Sequence, residues 1–231
     1  MNLTILNTPF FGIIITIFAF NLGLFILKKS NLAILNPLLI GTIIIMSIIS
    51  YFKIPLDYYK KGGDMMSFFL APATIALALP LHRQLNKLKT YYIPILIGGI
   101  VGACSAILSV IFIGKLLGLN TVILKSFVPK SITTPLGIEL SQVLGGIPAI
   151  TIFAIIVTGI TGNILAPVMC KIFKIQHPIA KGLGIGISSH AVGTAKALEM
   201  GEVEGGMSSL SIVIAGILTF IIAPFLIFLV Q

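Results

Sequence analysis

Charged residues are scarce in this sequence, so few of the side chains that enzymes use for catalysis are present. Charged side chains make up only 9% of the 231 residues, and there are only three histidines and two cysteines. Cys104 and Cys170 lie in apolar stretches without a cysteine or histidine at ligand spacing, so neither a metal site nor a disulfide is predicted. The sequence also lacks a Ser-His-Asp order, a phosphate-binding loop and a dinucleotide fingerprint. We therefore do not expect an enzyme, and no cofactor is implied.

Acidic residues are rarer than basic ones, which bears on the possible partners. The 6 acidic and 15 basic residues give a net charge of +9, a balance that in a soluble protein would suggest nucleic acid. Here the basic residues stand singly or in pairs between apolar stretches. This distribution is typical of residues that set membrane topology and contact anionic lipid head groups, so no nucleic acid is expected. Because 57% of the residues are hydrophobic, a soluble core could not hide the apolar surface. The composition predicts an integral membrane protein whose residues 1–231 form a single domain.

Five apolar stretches are long enough to be membrane-spanning helices. The first has no charge before it and is followed at once by Lys28 and Lys29, so we predict a retained span rather than a cleaved signal peptide. Residues 53–64 are interpreted as a polar loop that anchors the chain at the interface. The stretches cover residues 9–27, 32–52, 91–115, 149–173 and 207–230. We predict an all-α bundle with two N-terminal spans in 9–52 and a core of interrupted helices in 67–230.

The stretch from 181 to 206 is polar and multiply charged although long apolar stretches flank it. Backbone rich in glycine and hydroxyl residues is tolerated at membrane depth only where it is buried in protein or lines a wet cavity. We therefore predict an interrupted helix that faces inward; the alternative is that the glycines allow close helix packing. Lys196, one turn before Glu199, could belong to a site or to an ion pair. The other residues concerned are Gly182, Gly184, Gly186, Ser188, Ser189, His190, Gly193 and Thr194.

Residues 125–148 form a second unusual stretch. Thr134 followed by Pro135 is a helix-start signal, and Lys130, Ser131 and Thr133 lie beside it. A half-helix that begins inside the membrane would direct its positive dipole end and free N–H groups at a cavity, which suits a carboxylate. The alternative is an ordinary junction between loop and helix at the surface. Glu139 could handle a proton or pair with a lysine, and the sequence does not separate the two.

A third stretch, residues 67–85, contains Pro72 and Pro80. Each proline removes a backbone donor, so the helix must kink or break, and a break could line a substrate path. The string TIALALPLHRQL here is echoed by TTPLGIELSQVL further along, which suggests an internal repeat. We predict seven crossings with one re-entrant or broken segment, with eight crossings as the alternative.

Three strings of this sequence resemble the LrgB/CidB family of bacterial membrane proteins, which are described as antiholin-like or holin-like. They are PATIALALPL, PKSITTP and GLGIGISSHAVGTAKALEMGEVEGGMSSLSIVIAGILT, and the resemblance covers most of the chain from about Phe69 onward. It implies a multi-pass protein of the bacterial cell (inner) membrane. It further implies small monocarboxylate substrates such as pyruvate, or glycolate and glycerate as in plastid relatives, and a small LrgA/CidA-like membrane protein as partner.

Two functional hypotheses follow. The first is a transporter or facilitator for small organic anions, because an anion needs helix dipole ends, hydroxyls and one or two cations in a low-dielectric cavity. The second is an antiholin-like regulator of murein hydrolase activity, membrane permeability and lysis that acts by joining a small holin-like protein. A homo-oligomer is possible under either hypothesis. For the first, the predicted substrate-binding residues are Thr133, Thr134, Ser188, Ser189, His190, Thr194 and Lys196, with Glu139 and His190 as proton-coupling candidates.

Overall fold

The computed structural model describes residues 6–30, 35–69 and 89–230, together with Pro72, Ile75 and His82. Across these ranges the regular secondary structure is helical, with nine α-helices, a closing 3₁₀ turn and no strand. The chain divides into two compact units, Met1–Ala76 and Leu77–Gln231, which we call the N-terminal unit and the core unit.

Within residues 6–30 and 35–69, the N-terminal unit contains α1 (Pro9–Ser30), α2 (Pro37–Tyr51) and α3 (Leu56–Ser67). Its small core is formed where α1 packs on α2 through Ile15, Ala19 and Ile45. The interpretation of residues 53–64 as a polar loop is wrong, because most of them belong to α3. This helix packs closely on α1 where Gly62 meets Gly12, a contact that polar composition alone does not reveal.

In residues 89–230, the core unit has six helices. Three of them begin with a proline in the first turn, where a missing N–H costs nothing, and Gly145 ends one of them in the left-handed conformation that glycine favours. The helices are α4 (Tyr92–Leu116), α5 (Thr121–Phe127), α6 (Thr134–Leu144), α7 (Pro148–Ile172), α8 (Pro178–Met200) and α9 (Glu202–Leu226), followed by the 3₁₀ turn Ile227–Val230.

Four helices of the described residues are long and apolar enough to cross a membrane. They are Pro9–Ser30, Tyr92–Leu116, Pro148–Ile172 and Glu202–Leu229. Large apolar side chains on them are exposed, among them Phe18, Phe112 and Phe153, as is expected where lipid replaces water. The chain is thus a multi-pass membrane protein, while the count of seven or eight crossings stays a prediction. Helix α2 has 15 residues, about 22 Å, against a hydrocarbon core of about 30 Å.

Helix α8 reverses direction at His190, whose backbone is not helical (φ 43°, ψ −143°). A β-carbon at Gly193 would lie 3.4 Å from the carbonyl oxygen of Ile185, although residues eight apart in a straight helix are separated by about 12 Å. Lys181 and Met200, near the two ends of α8, also line one cavity. We name the two antiparallel halves α8a (178–189) and α8b (191–200).

A similar reversal joins α5 to α6 through the turn 128–133. The Ser126 hydroxyl at the end of α5 accepts a hydrogen bond from the Ile147 N–H, just beyond the far end of α6, at 2.7 Å. Within the turn, the carbonyl oxygen of Pro129 lies 3.6 Å from a β-carbon built at Gly137. The core unit therefore contains two helical hairpins, α5–α6 and α8a–α8b, and each is followed by a long apolar helix.

Helix α9 packs along both halves of α8. Gly182 and Gly186 of α8a place their backbone against the backbone of α9 near Glu204 and Ser208, in that order along both helices. On the other half, the Thr194 hydroxyl lies 2.7 Å from the Ser208 hydroxyl. Helix α9 therefore runs parallel to α8a and antiparallel to α8b.

Candidate functional site

A cavity of about 600 Å³ lies in the core unit between α4, the turn 128–133 and α8a. On the α4 side it is lined by small residues, including Gly102 and Ser105. The polar side chains on the opposite side are those of Lys130 and Ser131 in the turn and of Ser188 at the end of α8a. The cavity thus brings the tips of the two hairpins to one place.

Lys130 is the cation of this cavity. Its ammonium group lies 3.3 Å from the Ser131 hydroxyl, and its neighbours Pro129 and Ser131 are buried. Within the part of the chain that the structure describes, no carboxylate lies within ion-pair distance of Lys130. A half-buried ammonium that lacks a fixed counter-ion attracts anions strongly, because surrounding protein screens the charge less than water does.

Two helices begin at the hairpin tips. Helix α6 begins at Thr134 after Thr133, whose side chain makes no capping hydrogen bond, and α8b begins directly after His190. The first N–H groups of a helix have no partner within it, and the helix dipole makes that end partly positive. The two helix starts follow Lys130 and Ser188 in the chain, but their first residues do not line the cavity, so the positive charge that favours an anion there is that of Lys130.

Of the residues predicted from sequence, Ser188 lines the cavity, and Thr133 and Thr134 are half-buried next to the turn without lining it. Ser189 is buried against Gly162 of α7. Glu139 is exposed on α6. The ammonium of Lys196 lies 2.7 Å from a carboxylate oxygen of Glu199, so the ion pair that the sequence left open is formed, near the surface.

His190 and Thr194 hold the reversal of α8. The Nε2 atom of His190 lies 2.9 Å from the carbonyl oxygen of Ile155 in α7. The Thr194 hydroxyl donates to the carbonyl oxygen of His190 at 2.9 Å, and the Asn163 amide of α7 donates to that of Val192 at 2.8 Å. Side-chain donors therefore reach backbone carbonyl groups at the reversal and tie it to α7.

The glycines predicted to break α8 lie within its helical halves. Gly182 and Gly186 pack against α9 and Gly193 against α8a, whereas a β-carbon at Gly184 would meet no atom within 4 Å. Pro135 stands in the first turn of α6. Of the other two predicted break positions, Pro72 is described as a single exposed helical residue, and Pro80 lies outside the described residues.

The sequence placed Lys130 and Ser131 beside a helix start but did not select them, and it missed the role of Asn163. The signal for Lys130 was a lone lysine in a stretch of apolar and hydroxyl residues, since ionisable groups at membrane depth usually serve function. Asn163 gave no comparable signal, because its partner is a backbone carbonyl distant in sequence.

Comparison with known proteins gives a consistent result. A sequence profile described as the LrgB-like family matches residues 16–229. Proteins named "Antiholin-like protein LrgB" from Bacillus cereus (strain B4264) and Bacillus anthracis (strain A0248) are each 38% identical over 218 residues, 94% of this chain and 95% of the relative. No solved structure matches significantly.

Proposed function

The chain belongs to the LrgB-like family of membrane proteins, and from this premise we propose that it is a carrier or facilitator for small organic anions. The observation that carries the proposal is the cavity of about 600 Å³ in which Lys130 and Ser131 of one hairpin face Ser188 of the other. A volume of this size falls in the range of small-molecule sites, about 300–1,000 Å³.

The chemistry of the cavity suits a small monocarboxylate such as pyruvate, glycolate or glycerate. One ammonium group matches one carboxylate in charge, and the hydroxyls of Ser131 and Ser188 can hydrogen-bond the carboxylate or a neighbouring oxo or hydroxyl group. The small side chains of α4 leave room for a short carbon chain. A dicarboxylate would leave one charge without a cation among the described lining residues, which costs several kcal/mol in a low-dielectric site.

A repeat different from the one suggested by the sequence, whose first member lies largely outside the described residues, supports a transport cycle. The spacing from Thr121 through Ser131 to Pro167 recurs from Pro178 through Ser188 to Pro224. Thr121 and Pro178 each begin the first helix of a hairpin, and the two prolines lie inside the long helices that follow. Ser131 and Ser188 thus occupy equivalent positions in two repeats of one hairpin and one long helix, and both line the cavity.

The repeat implies inverted topology. A hairpin that enters and leaves on one side adds no crossing, so each repeat crosses the membrane once and the next repeat begins on the opposite side. The α5–α6 and α8a–α8b hairpins then enter from opposite faces, and their tips meet near the middle of the bilayer. Inverted repeats with a site between discontinuous helices are the usual basis of alternating access.

The test is uptake of labelled pyruvate, glycolate and lactate into proteoliposomes. We expect saturable uptake by the wild type and a loss of about 10- to 100-fold in Lys130→Gln, because a hydrogen bond to a charged group contributes about 1.5–3 kcal/mol. Lys115→Gln, at the exposed end of α4, is the matched control and should transport normally. Normal uptake by Lys130→Gln would contradict the proposed site.

The name of the relatives favours a second candidate, an antiholin-like regulator in the bacterial inner membrane that binds a small LrgA/CidA-like protein and modulates permeability, murein hydrolase activity and lysis. In that case lipid-facing surfaces matter more than the cavity. Absence of flux with every small acid tested, alongside retained binding of the partner, would favour the regulator. Carrier activity and a lysis phenotype are compatible, since metabolite flux can alter the proton-motive force.

A further inference from the structure

Two further cavities of the core unit lie between α7 and α8. The first, of about 190 Å³, is lined by residues that include Cys170 and Ser189. The second, of about 390 Å³, lies where α7 ends and α8 begins, and its lining includes three lysines, Lys171, Lys174 and Lys181. We call the second cavity the lysine vestibule.

The lysine vestibule and the cavity at Lys130 each adjoin the intermediate cavity. The vestibule and the intermediate cavity share Cys170, Ile175 and Lys181, and the intermediate cavity shares Ala180, Gly184 and Ser188 with the cavity at Lys130. Ala180 and Gly184 present almost no side chain at the second junction. Because a β-carbon at Gly184 would meet no atom within 4 Å, the space beside it is open.

The three lysines of the vestibule share no acidic partner within the described ranges. Lys171 and Lys174 are exposed and Lys181 is half-buried, and the ion pair of the described residues involves Lys196 instead. Three ammonium groups around one opening raise the local concentration of anions by electrostatic attraction. Lysines at a helix end commonly set membrane topology. These three also line a cavity that can accommodate an anion.

We propose that Lys171, Lys174 and Lys181 collect small carboxylate anions at one face of the membrane and that these anions pass Cys170 and Gly184 to reach Lys130 and Ser188. This path rests on the proposed function, since it names the route to the same site. The anions would enter from the side of the protein where α7 ends and α8a begins.

Native Cys170 provides the first test, because it lies between the vestibule and the intermediate cavity. In a Cys104→Ala background, proteoliposomes are treated with anionic sulfonatoethyl and cationic trimethylammonioethyl methanethiosulfonate. At low ionic strength we expect the ratio of anionic to cationic labelling rates at Cys170 to fall about sixfold for each of Lys171→Gln, Lys174→Gln and Lys181→Gln, because losing a positive charge roughly 8 Å away in water slows the anionic reagent and speeds the cationic one by about 2.4-fold each. High salt should abolish the difference.

Two controls accompany this measurement. Lys115→Gln, near the opposite end of the long helix α4, should leave the ratio unchanged, and Cys170→Ala with Cys104 retained should show no dependence on the vestibule lysines. If none of the three lysine variants changes the ratio of anionic to cationic labelling rates at Cys170, the proposed role of the vestibule lysines is wrong. This readout does not depend on transport, so it decides about the vestibule even if the chain carries no anion.

The passage is tested by a plug at Gly184. Gly184→Leu projects a side chain into open space, so the protein should fold and melt no lower than the wild type while uptake falls at least tenfold. Gly63→Leu is the matched control, because Gly63 also lies in a helix with no atom near a built β-carbon but belongs to the N-terminal unit. Normal uptake by Gly184→Leu, with uptake still lost in Lys130→Gln, would overturn the path and leave the proposed function standing.

Discussion

Substituting Gly186 by alanine tests the packing of α8a on α9, on which the doubled-back geometry of α8 depends. A β-carbon at Gly186 would collide with the backbone carbonyl oxygen of Ser208 and with the Ser211 hydroxyl. The hydroxyl can rotate away, but the carbonyl cannot move unless α9 moves with it. Gly184, two residues earlier, faces the other side of the same helix, where a built β-carbon meets no atom within 4 Å.

Gly186→Ala and Gly184→Ala should change the free energy of unfolding in opposite directions. Replacing glycine by alanine inside a helix stabilises by up to about 1 kcal/mol, whereas overpacking typically costs about 1–3 kcal/mol. We expect Gly186→Ala to lower the free energy of unfolding by about 1–2 kcal/mol and Gly184→Ala to raise it by about 0.5–1 kcal/mol. For a chain of this size the corresponding shifts in Tm are about 2–8 °C downward and about 1–4 °C upward.

The assay is thermal unfolding of the purified protein in detergent, followed by helical circular dichroism or by the labelling of buried thiols. Wild type and both variants are measured at one detergent concentration, because bound detergent shifts Tm. Equal Tm values for the two variants would refute the close approach of α8a to α9. A straight α8, in which Gly186 could face lipid, predicts that result.

Substitutions at Thr194, His190 and Lys196 test the hydrogen bonds and the ion pair of α8. Thr194→Val should cost about 1–3 kcal/mol by leaving the buried Ser208 hydroxyl unpaired, and adding Ser208→Ala should cost little more, which a double-mutant cycle in urea or detergent denaturation measures. His190→Gly should be less destabilising than His190→Ala by about 1–2 kcal/mol, because both lose the bond to α7 but only glycine relieves the positive φ; a larger loss for glycine would contradict this. Lys196→Ala should change the free energy of unfolding by less than about 1 kcal/mol, because its ion pair with Glu199 is exposed; a larger loss would imply a buried role.

The long helices could be predicted closely from sequence because composition decides them. The predicted spans 91–115 and 149–173 differ by one residue at each end from Tyr92–Leu116 and Pro148–Ile172. Helix α3 was missed because its residues are polar and glycine-containing, and its stability comes from the contact of Gly62 with α1. Patterns of hydropathy do not register a helix that tertiary packing stabilises.

The candidate site could be predicted only in part. The sequence identified both unusual stretches, since polar and glycine-rich runs between apolar helices need burial. It could not tell which of their side chains face the cavity, because that depends on where α8 reverses and on which hairpin faces which. Gly182, Gly184 and Gly186 illustrate this: they have the same sequence signal, yet two of them face the backbone of α9 and the third faces open space.

The reversal of α8 also constrains how this chain can be inserted into a membrane. Neither half reaches across the hydrocarbon region, since α8a and α8b are about 18 Å and 15 Å long. A segment of this kind cannot leave the translocon alone, because its turn would expose peptide groups to lipid until α7 and α9 enclose it. Ribosomes must therefore have synthesised α9 before α8 can settle, so α9 controls the maturation of this part of the core unit.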